Sequence, residues 1–386
     1  LNAWGSLSSL HRLRYTMIQD PPSLLSRSGA GNLPASWIDE ERIARAFRSI
    51  SKHAHRALSN PGDSQGYLPL REQLQIKLRD IGIHTEASNI IVTSGAGDAL
   101  SLIAQYYLHR PGEPVLVESP CQPLIVDRLM SCGLAVETVP RLSDGPDLEV
   151  MRQLCEQLRP KMFFCSSVLH NPTSSHLAPH KAFQLLRLAE EFDLTIVEDD
   201  SYGDLLPSSL SATVSRLAPL DQLNRVIYVG SFSKTLAAGL RVGYLAARAD
   251  RIEWLTVYRL ISTIASNSFA ERVVHQLLSD GEYRHHCEQL QVRLDEVRPR
   301  VAAEARRLGL HIDGEPDAGM FLWADLGPGI DSLAVAQHLL TKGHLIAPGA
   351  LFHDYKSSRV RLNLATTLDV GALEALARAV QSAPRP

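Results

Sequence analysis

A chain of 386 residues with 45% apolar and 21% charged residues can bury a large core, enough for two domains or one large domain with a lobe. Its formal charge of −3 gives no sign of a phosphate-backbone binder, so no strong nucleic-acid binding is expected through this chain alone. No run of eighteen apolar residues and no signal-peptide series occurs, so the expectation is a cytoplasmic protein without membrane association.

In chain order, residues 1–35 mix Ser, Pro, Gly and Arg without a steady period and read as an arm or linker. From Ser36 the texture changes. Ser36 can cap, Asp39 follows three residues later, and Ile43, Phe47, Ile50 and Ala54 share one helical face. A loop over 60–66 leads to Leu70, Leu74, Leu78 and Ile81, which predict a second helix stopped by Gly82.

Short apolar runs then alternate with helical stretches. Strands are predicted over 89–93, 115–118, 135–139, 162–165, 195–198, 226–229 and 242–246, and helices over 98–108, 148–158 and 181–192. Alternation of this kind predicts an α/β fold around a mainly parallel, seven-stranded sheet covered on both faces, with ligand loops at the carboxyl ends of its strands. Beyond residue 250, helical periodicity runs through Arg307, and separated strands follow at 320–324, 345–347 and 360–364. These describe a smaller α+β unit that N-terminal residues are expected to join. The expected division is 1–50 for the arm and part of the small domain, 51–280 for the large domain and 281–386 for the small C-terminal domain.

The five cysteines, Cys121, Cys132, Cys155, Cys165 and Cys287, never stand in Cys-x-x-Cys spacing, so neither a disulfide framework nor a metal site is expected. Chemistry concentrates instead in residues 226–244, Val-Ile-Tyr-Val-Gly-Ser-Phe-Ser-Lys-Thr-Leu-Ala-Ala-Gly-Leu-Arg-Val-Gly-Tyr. Lys234 stands where the backbone leaves a buried strand. Partial desolvation and the nearby Arg241 both favour the neutral amine that Schiff-base chemistry needs. Ser231, Ser233 and Arg241 supply hydroxyls and a fixed charge suited to a phosphate. Ser231-Phe-Ser-Lys234 also satisfies the Ser-x-x-Lys pattern of penicillin-recognising enzymes, but no Lys-Thr-Gly or Ser-Asp-Asn element accompanies it.

Other strand-ending loops carry polar groups. Thr93-Ser-Gly-Ala-Gly-Asp98 can turn backbone N–H groups toward an anion, although Leu100 in the third glycine position rules out a dinucleotide fingerprint. His170-Asn-Pro-Thr173 is stiffened by Pro172, and Glu198-Asp-Asp200 places three carboxylates at a strand end, costly without a cation nearby. Arg361, with apolar neighbours on its strand, suits a bidentate grip on a carboxylate.

These segments, with Gly-Tyr-Leu-Pro-Leu-Arg at 66–71 and Arg-Leu-Asn at 361–363, resemble the fold-type I pyridoxal-phosphate aminotransferases of class I/II. Within that group the chain is similar to the aminotransferase-like domain of MocR-type regulators of the GntR superfamily and to stand-alone aminoadipate aminotransferases. The resemblance implies pyridoxal 5′-phosphate as cofactor, an amino acid or amine as substrate or effector, and a homodimer. It implies Lys234 as the Schiff-base lysine, Asp199 as partner of the cofactor's ring nitrogen, and Tyr202 and Asn171 as donors to its phenolic oxygen. Gly95, Ala96, Ser231, Ser233 and Arg241 match the phosphate cup. Arg361, with Asn171 and Gly31, matches the substrate clamp.

Departures stand at Gln122, where the family usually stacks an aromatic ring on the cofactor, at Pro61, where a tyrosine commonly reaches the phosphate across a dimer interface, and at Ser174, where glycine is usual. The implied activity is transfer of an amino group to a 2-oxo acid. The alternatives are an effector-sensing domain whose DNA-binding module lies outside this chain, and a lyase or cyclase using the same carbanion.

Overall fold

The computed structural model describes residues 8–383 apart from 20, 53–58, 107–110, 313, 356 and 369–370. The chain opens with helices α1 (Ser9–Gln19), α2 (Glu40–Ser51) and α3 (Leu68–Asp80). Helix α2 is capped by Asp39, whose side chain accepts from Arg42 N at 2.9 Å. Ser36 falls instead inside a 3-10 turn, and Ala54 lies outside the described residues.

The large sheet then begins: β1 (Ile90–Thr93), α4 (Ala96–Tyr106), β2 (Pro114–Ser119), α5 (Ile125–Ser131), β3 (Ala135–Leu142), β4 (Gly145–Pro146), α6 (Leu148–Leu158), β5 (Met162–Cys165), α7 (Pro179–Glu191), β6 (Thr195–Asp199), α8 (Leu217–Asp221), β7 (Val226–Ser231) and β8 (Gly243–Ala246). Leu108, expected at the end of α4, lies outside the described residues. The remainder is α9 (Ala249–Ser262), α10 (Ser268–Ser279), α11 (Glu282–Arg307), β9 (Phe321–Asp325), α12 (Ser332–Thr341), β10 (Ala347–Pro348), β11 (Arg359–Asn363), α13 (Leu364–Thr367) and α14 (Ala372–Ser382).

The sheet has 8 strands in the order β1-β8-β7-β6-β5-β2-β3-β4. The run from β7 through β6, β5 and β2 to β3 is parallel, while β8 is antiparallel to both of its neighbours. The expected count of seven misses β4, a two-residue strand that folds back on the end of β3 and is too short to show a period. Strands β1, β5 and β7 are buried along their whole length, which explains their continuous apolar runs. Leu70, Leu74 and Leu78 of α3 pack with one face of the sheet, and Leu100 and Ile103 of α4 with the other.

A second core surrounds a three-stranded antiparallel sheet ordered β10-β11-β9. Helix α11 joins the two packing centres: Tyr283 and Cys287 belong to the large-sheet core, Leu290 and Leu294 to the second. The described residues among 1–35 are not a plain linker but join the second core, as expected of N-terminal residues. Leu13 and Met17 of α1 are buried in the second core, and Gly29 crosses β10 so closely that a Cβ there would lie 2.6 Å from Ala347 N. The period is present in Leu10, Leu13 and Met17, but the intervening His11, Arg12, Arg14 and Thr16 hide it. Among the described residues, no helix is long and apolar enough to cross a membrane, and no cluster of metal-ligating side chains occurs.

Candidate active site

Lys234 follows the buried end of β7 and is only partly exposed. Its Nζ donates to Gly31 O and to Asn32 Oδ1, each at 2.9 Å, and both acceptors are neutral. Burial, with help from Arg361 and Arg241 and against Asp199, lowers the amine to about 8. An amine so placed is about one-tenth neutral at pH 7 and half neutral near pH 8, far more than an ordinary lysine, as a nucleophile or base requires.

The three carboxylates after β6 separate into distinct roles. Glu198 is fully buried and accepts from Leu217 N at 2.7 Å and Ala218 N at 2.8 Å, capping α8; burial pushes it up to about 7. Asp200 pairs with Arg216 at 2.7 Å and accepts from the Tyr228 hydroxyl at 2.7 Å. Asp199 alone lines the cavity beside Gln122, Asn171 and Tyr202. It accepts from Ser201 N at 3.0 Å and Gln122 Nε2 at 3.1 Å, and burial raises it while these donors pull it down. The cost of three adjacent carboxylates is thus met by a helix N-terminus, an arginine and a set of donors.

Arg361 is 1% exposed. It donates to Asn171 Oδ1 at 2.9 Å and Gly29 O at 2.8 Å, and its guanidinium lies 4.1 Å from the Phe321 ring centre and 4.9 Å from that of Phe352. Its Nε has no partner, burial lowers it to about 10, and among the described residues no carboxylate pairs with it. Asn171 Nδ2 in turn donates to the Tyr202 hydroxyl at 3.2 Å, a group that burial pushes up. Gly31 stands between the two cations: a Cβ there would lie 3.8 Å from Arg361 Nη2 and 3.8 Å from Lys234 Nζ.

The loop from β1 into α4 meets Arg241, whose Nη2 donates to Ser94 O at 2.8 Å and Nη1 to Ser233 Oγ at 3.4 Å. Gly95 has φ +93°, and a Cβ on it would stand 2.6 Å from Arg241 Nη2. Ala96 begins the helix, and Ser231 Oγ accepts from Ser233 N at 3.2 Å. Helix N-terminus, hydroxyls and arginine stand together in an arrangement that could receive an anion. Ser174, where glycine was expected, keeps a left-handed backbone at φ 54°, and its hydroxyl donates to Phe321 O at 3.0 Å. Pro61 is exposed.

The structure brings Lys234, Asp199, Tyr202, Asn171, Arg361, Gly31 and Gln122 into one site, with Gly95, Ala96, Ser231, Ser233 and Arg241 forming the cradle beside Lys234. Sequence reasoning missed Asn32, the lysine's acceptor, and Asn363, whose Nδ2 donates to Ala30 O at 3.1 Å and Asn32 O at 2.7 Å. It also missed Phe321 and Phe352 as the flanks of Arg361. The Arg-Leu-Asn segment signalled Asn363; nothing periodic marked Asn32.

Residues 29–380 match the family model described as aminotransferase class I and II. Similar proteins include an uncharacterized HTH-type transcriptional regulator, YdfD, of Bacillus subtilis, 30% identical over 78% of this chain; the match spans 63% of that regulator's length. The 2-aminoadipate transaminase of Thermus thermophilus is 28% identical over 95% of this chain and 93% of its own length. The crystal structure of LysN, the α-aminoadipate aminotransferase of Thermus thermophilus, complexed with N-(5′-phosphopyridoxyl)-L-leucine, superposes with a TM-score of 0.84 at 25% identity, covering 97% of this chain and 95% of that one.

Proposed function

As this chain belongs to the aminotransferase class I and II family, we propose that it transfers the amino group of an amino acid to a 2-oxo acid. Its cofactor is pyridoxal 5′-phosphate. The residues present fit that group: an anion cradle built on Arg241, an amine held by neutral acceptors, and a half-buried carboxylate line neighbouring parts of one site. Gly95, Ala96, Ser231, Ser233 and Arg241 would hold the phosphate, Asp199 the ring nitrogen, Asn171 and Tyr202 the phenolic oxygen, and Lys234 the aldehyde carbon.

When bound, the cofactor supplies a sink for the electron pair left by a broken Cα–H bond. Arg361 grips the α-carboxylate of the incoming amino acid, so that the Cα–H bond is held facing the lysine side of the site. Lys234, neutral in part near pH 8, would take the proton from the substrate Cα and deliver it to the carbon that carried the cofactor's aldehyde. Asp199, whose donors oppose the effect of its burial, would hold a proton on the ring nitrogen. Asn171 links Arg361 to the Tyr202 hydroxyl, so the substrate clamp and the group facing the phenolic oxygen share one hydrogen-bonded unit.

One observation carries the reading: a buried guanidinium without an anionic partner beside an amine whose acceptors are neutral. Burying an uncompensated arginine costs several kcal/mol, on the order of 3–5, and a carboxylate ligand offsets that cost. The test is to titrate the purified protein with pyridoxal 5′-phosphate, add a panel of amino acids and assay for 2-oxo acid. Formation of a 2-oxo acid that requires Lys234 supports the proposal; no product from any amino acid refutes it.

A second reading, an effector-sensing domain, is favoured by the regulator relatives such as YdfD. A spectrum that changes with an amino acid or amine but never yields 2-oxo acid would support it. A homodimer belongs to either reading: Trp254, Leu260 and Ile261 of α9 are 60%, 55% and 79% exposed, an apolar set suited to a second copy. The division into 51–280 as cofactor-binding unit, flanked by 1–50 and 281–386, is part of the same proposal.

A further inference from the structure

Gln122 occupies the position at which an aromatic ring is expected, and its side chain turns toward a carboxylate. It sits after β2 between Pro120 and Pro123, which restrict its backbone. That backbone is also tied at both ends: Cys121 N donates to Phe352 O at 3.0 Å, and Ile125 N to Gln122 O at 3.3 Å. Ordering the side chain costs up to about 1.5–2 kcal/mol of rotamer freedom, but the backbone that carries it is already fixed. Its Nε2 reaches Asp199 Oδ2 at 3.1 Å.

The two oxygens of Asp199 are not equivalent. Oδ1 accepts from Ser201 N at 3.0 Å and from Ser201 Oγ at 2.5 Å. Among the described residues, the donor on Oδ2 is Gln122. An aromatic ring at position 122 would leave that oxygen without a donor. An ionised carboxylate has about four lone-pair sites, so Oδ2 can keep the Gln122 amide while accepting a second N–H.

We propose that Gln122 is a positioning residue for Asp199: its amide orients that carboxylate toward the cavity and keeps it charged, so that it can hold a proton on a ring nitrogen. This rests on the role given to Asp199 under the proposed function. The groups around Asp199 make such a donor valuable. Burial and the adjacent Asp200 both favour its neutral form. The Tyr202 hydroxyl and the Cys165 thiol, on the loop after β6 and on β5, bring no positive charge, and both are pushed up in part by Asp199. The Lys234 amine is the cation that faces it. Glutamine adds a donor that does not titrate.

The probe is pyridoxamine 5′-phosphate, which has no aldehyde and so reports ring and phosphate contacts without a bond to Lys234. Its dissociation constant is measured by protein fluorescence for wild type and for Gln122→Met, which has similar length and no donor, from pH 8.5 to 5.5. The ratio of mutant to wild-type constants is expected to rise as the pH falls, toward a limit of about tenfold for a change of about one pKa unit at Asp199. In an Asp199→Asn background the same substitution is expected to show a flat ratio.

A ratio constant with pH in the Asp199 protein would mean that Gln122 only fills space, and would overturn the inference while leaving the cofactor reading intact. Failure of wild type to bind the probe at any pH would overturn both. Thermal unfolding of the apoprotein checks that Gln122→Met is folded; Gln122→Leu provides the same comparison if it is not.

Discussion

Replacing Arg361 separates recognition of an amino acid from recognition of an amine. Arg361→Ala removes the buried guanidinium and with it any charge-assisted, two-pronged bond to a substrate carboxylate. Hydrogen bonds to charged groups contribute about 1.5–3 kcal/mol, and a bidentate pair lies at the upper end. A loss of about 3 kcal/mol is roughly a hundredfold in apparent affinity. The substitution also strips donors from Asn171 Oδ1, Gly29 O and Ala30 O, a loss that opposes the relief of a buried charge, so apoprotein stability shifts by the balance of the two. That global shift is common to every ligand and cancels in a ratio. The assay follows the visible spectrum of the pyridoxal-phosphate-loaded protein on titration with an L-amino acid and, separately, with the amine obtained by removing its carboxylate. The amino acid is expected to weaken about a hundredfold and the amine by less than about threefold. Equal loss for both would refute the clamp.

Further outcomes follow from the lysine and from the cradle. Lys234→Ala is expected to remove the visible absorption of the bound cofactor and its fixation by borohydride, and an unchanged spectrum would show that the lysine is misassigned. Because Lys234 is lowered to about 8 in the folded chain while an unfolded lysine stays near about 10.4, the unfolded state binds more protons between those values. Apoprotein stability should therefore rise from pH 8 to 10 by about 2 kcal/mol more in wild type than in Lys234→Met, as read by urea unfolding; parallel curves would contradict the lowered amine. Gly95→Ala places a Cβ 2.6 Å from Arg241 Nη2 at a residue with φ +93°. It is expected to weaken pyridoxal 5′-phosphate about tenfold or more while changing the melting temperature by only a few degrees, and unaltered affinity would remove that arginine from the cradle.

What could be read without coordinates was what the backbone period or a dense polar loop announces. Strands β5, β6 and β7 were legible because burial on both faces demands unbroken apolar runs, and Lys234, Asp199 and Asn171 stand where those runs end. The partition of Glu198, Asp199 and Asp200 was not legible. It depends on Leu217, Arg216 and Gln122, which lie on other segments and meet the carboxylates only when the sheet is assembled.

The least legible part is residues 29–32. Gly29 O and Ala30 O accept from Arg361, Gly31 O from Lys234, and Asn32 O from Asn363. A segment whose polar groups are satisfied by site side chains needs neither helical nor strand periodicity, because its conformation is imposed from outside rather than by its own hydrogen bonds. The same donors are those that an amino acid and a cofactor would claim. Lack of pattern at 29–32 and the chemistry proposed for Lys234 and Arg361 would then have one cause: this stretch of backbone would share its hydrogen-bond partners with the proposed ligands.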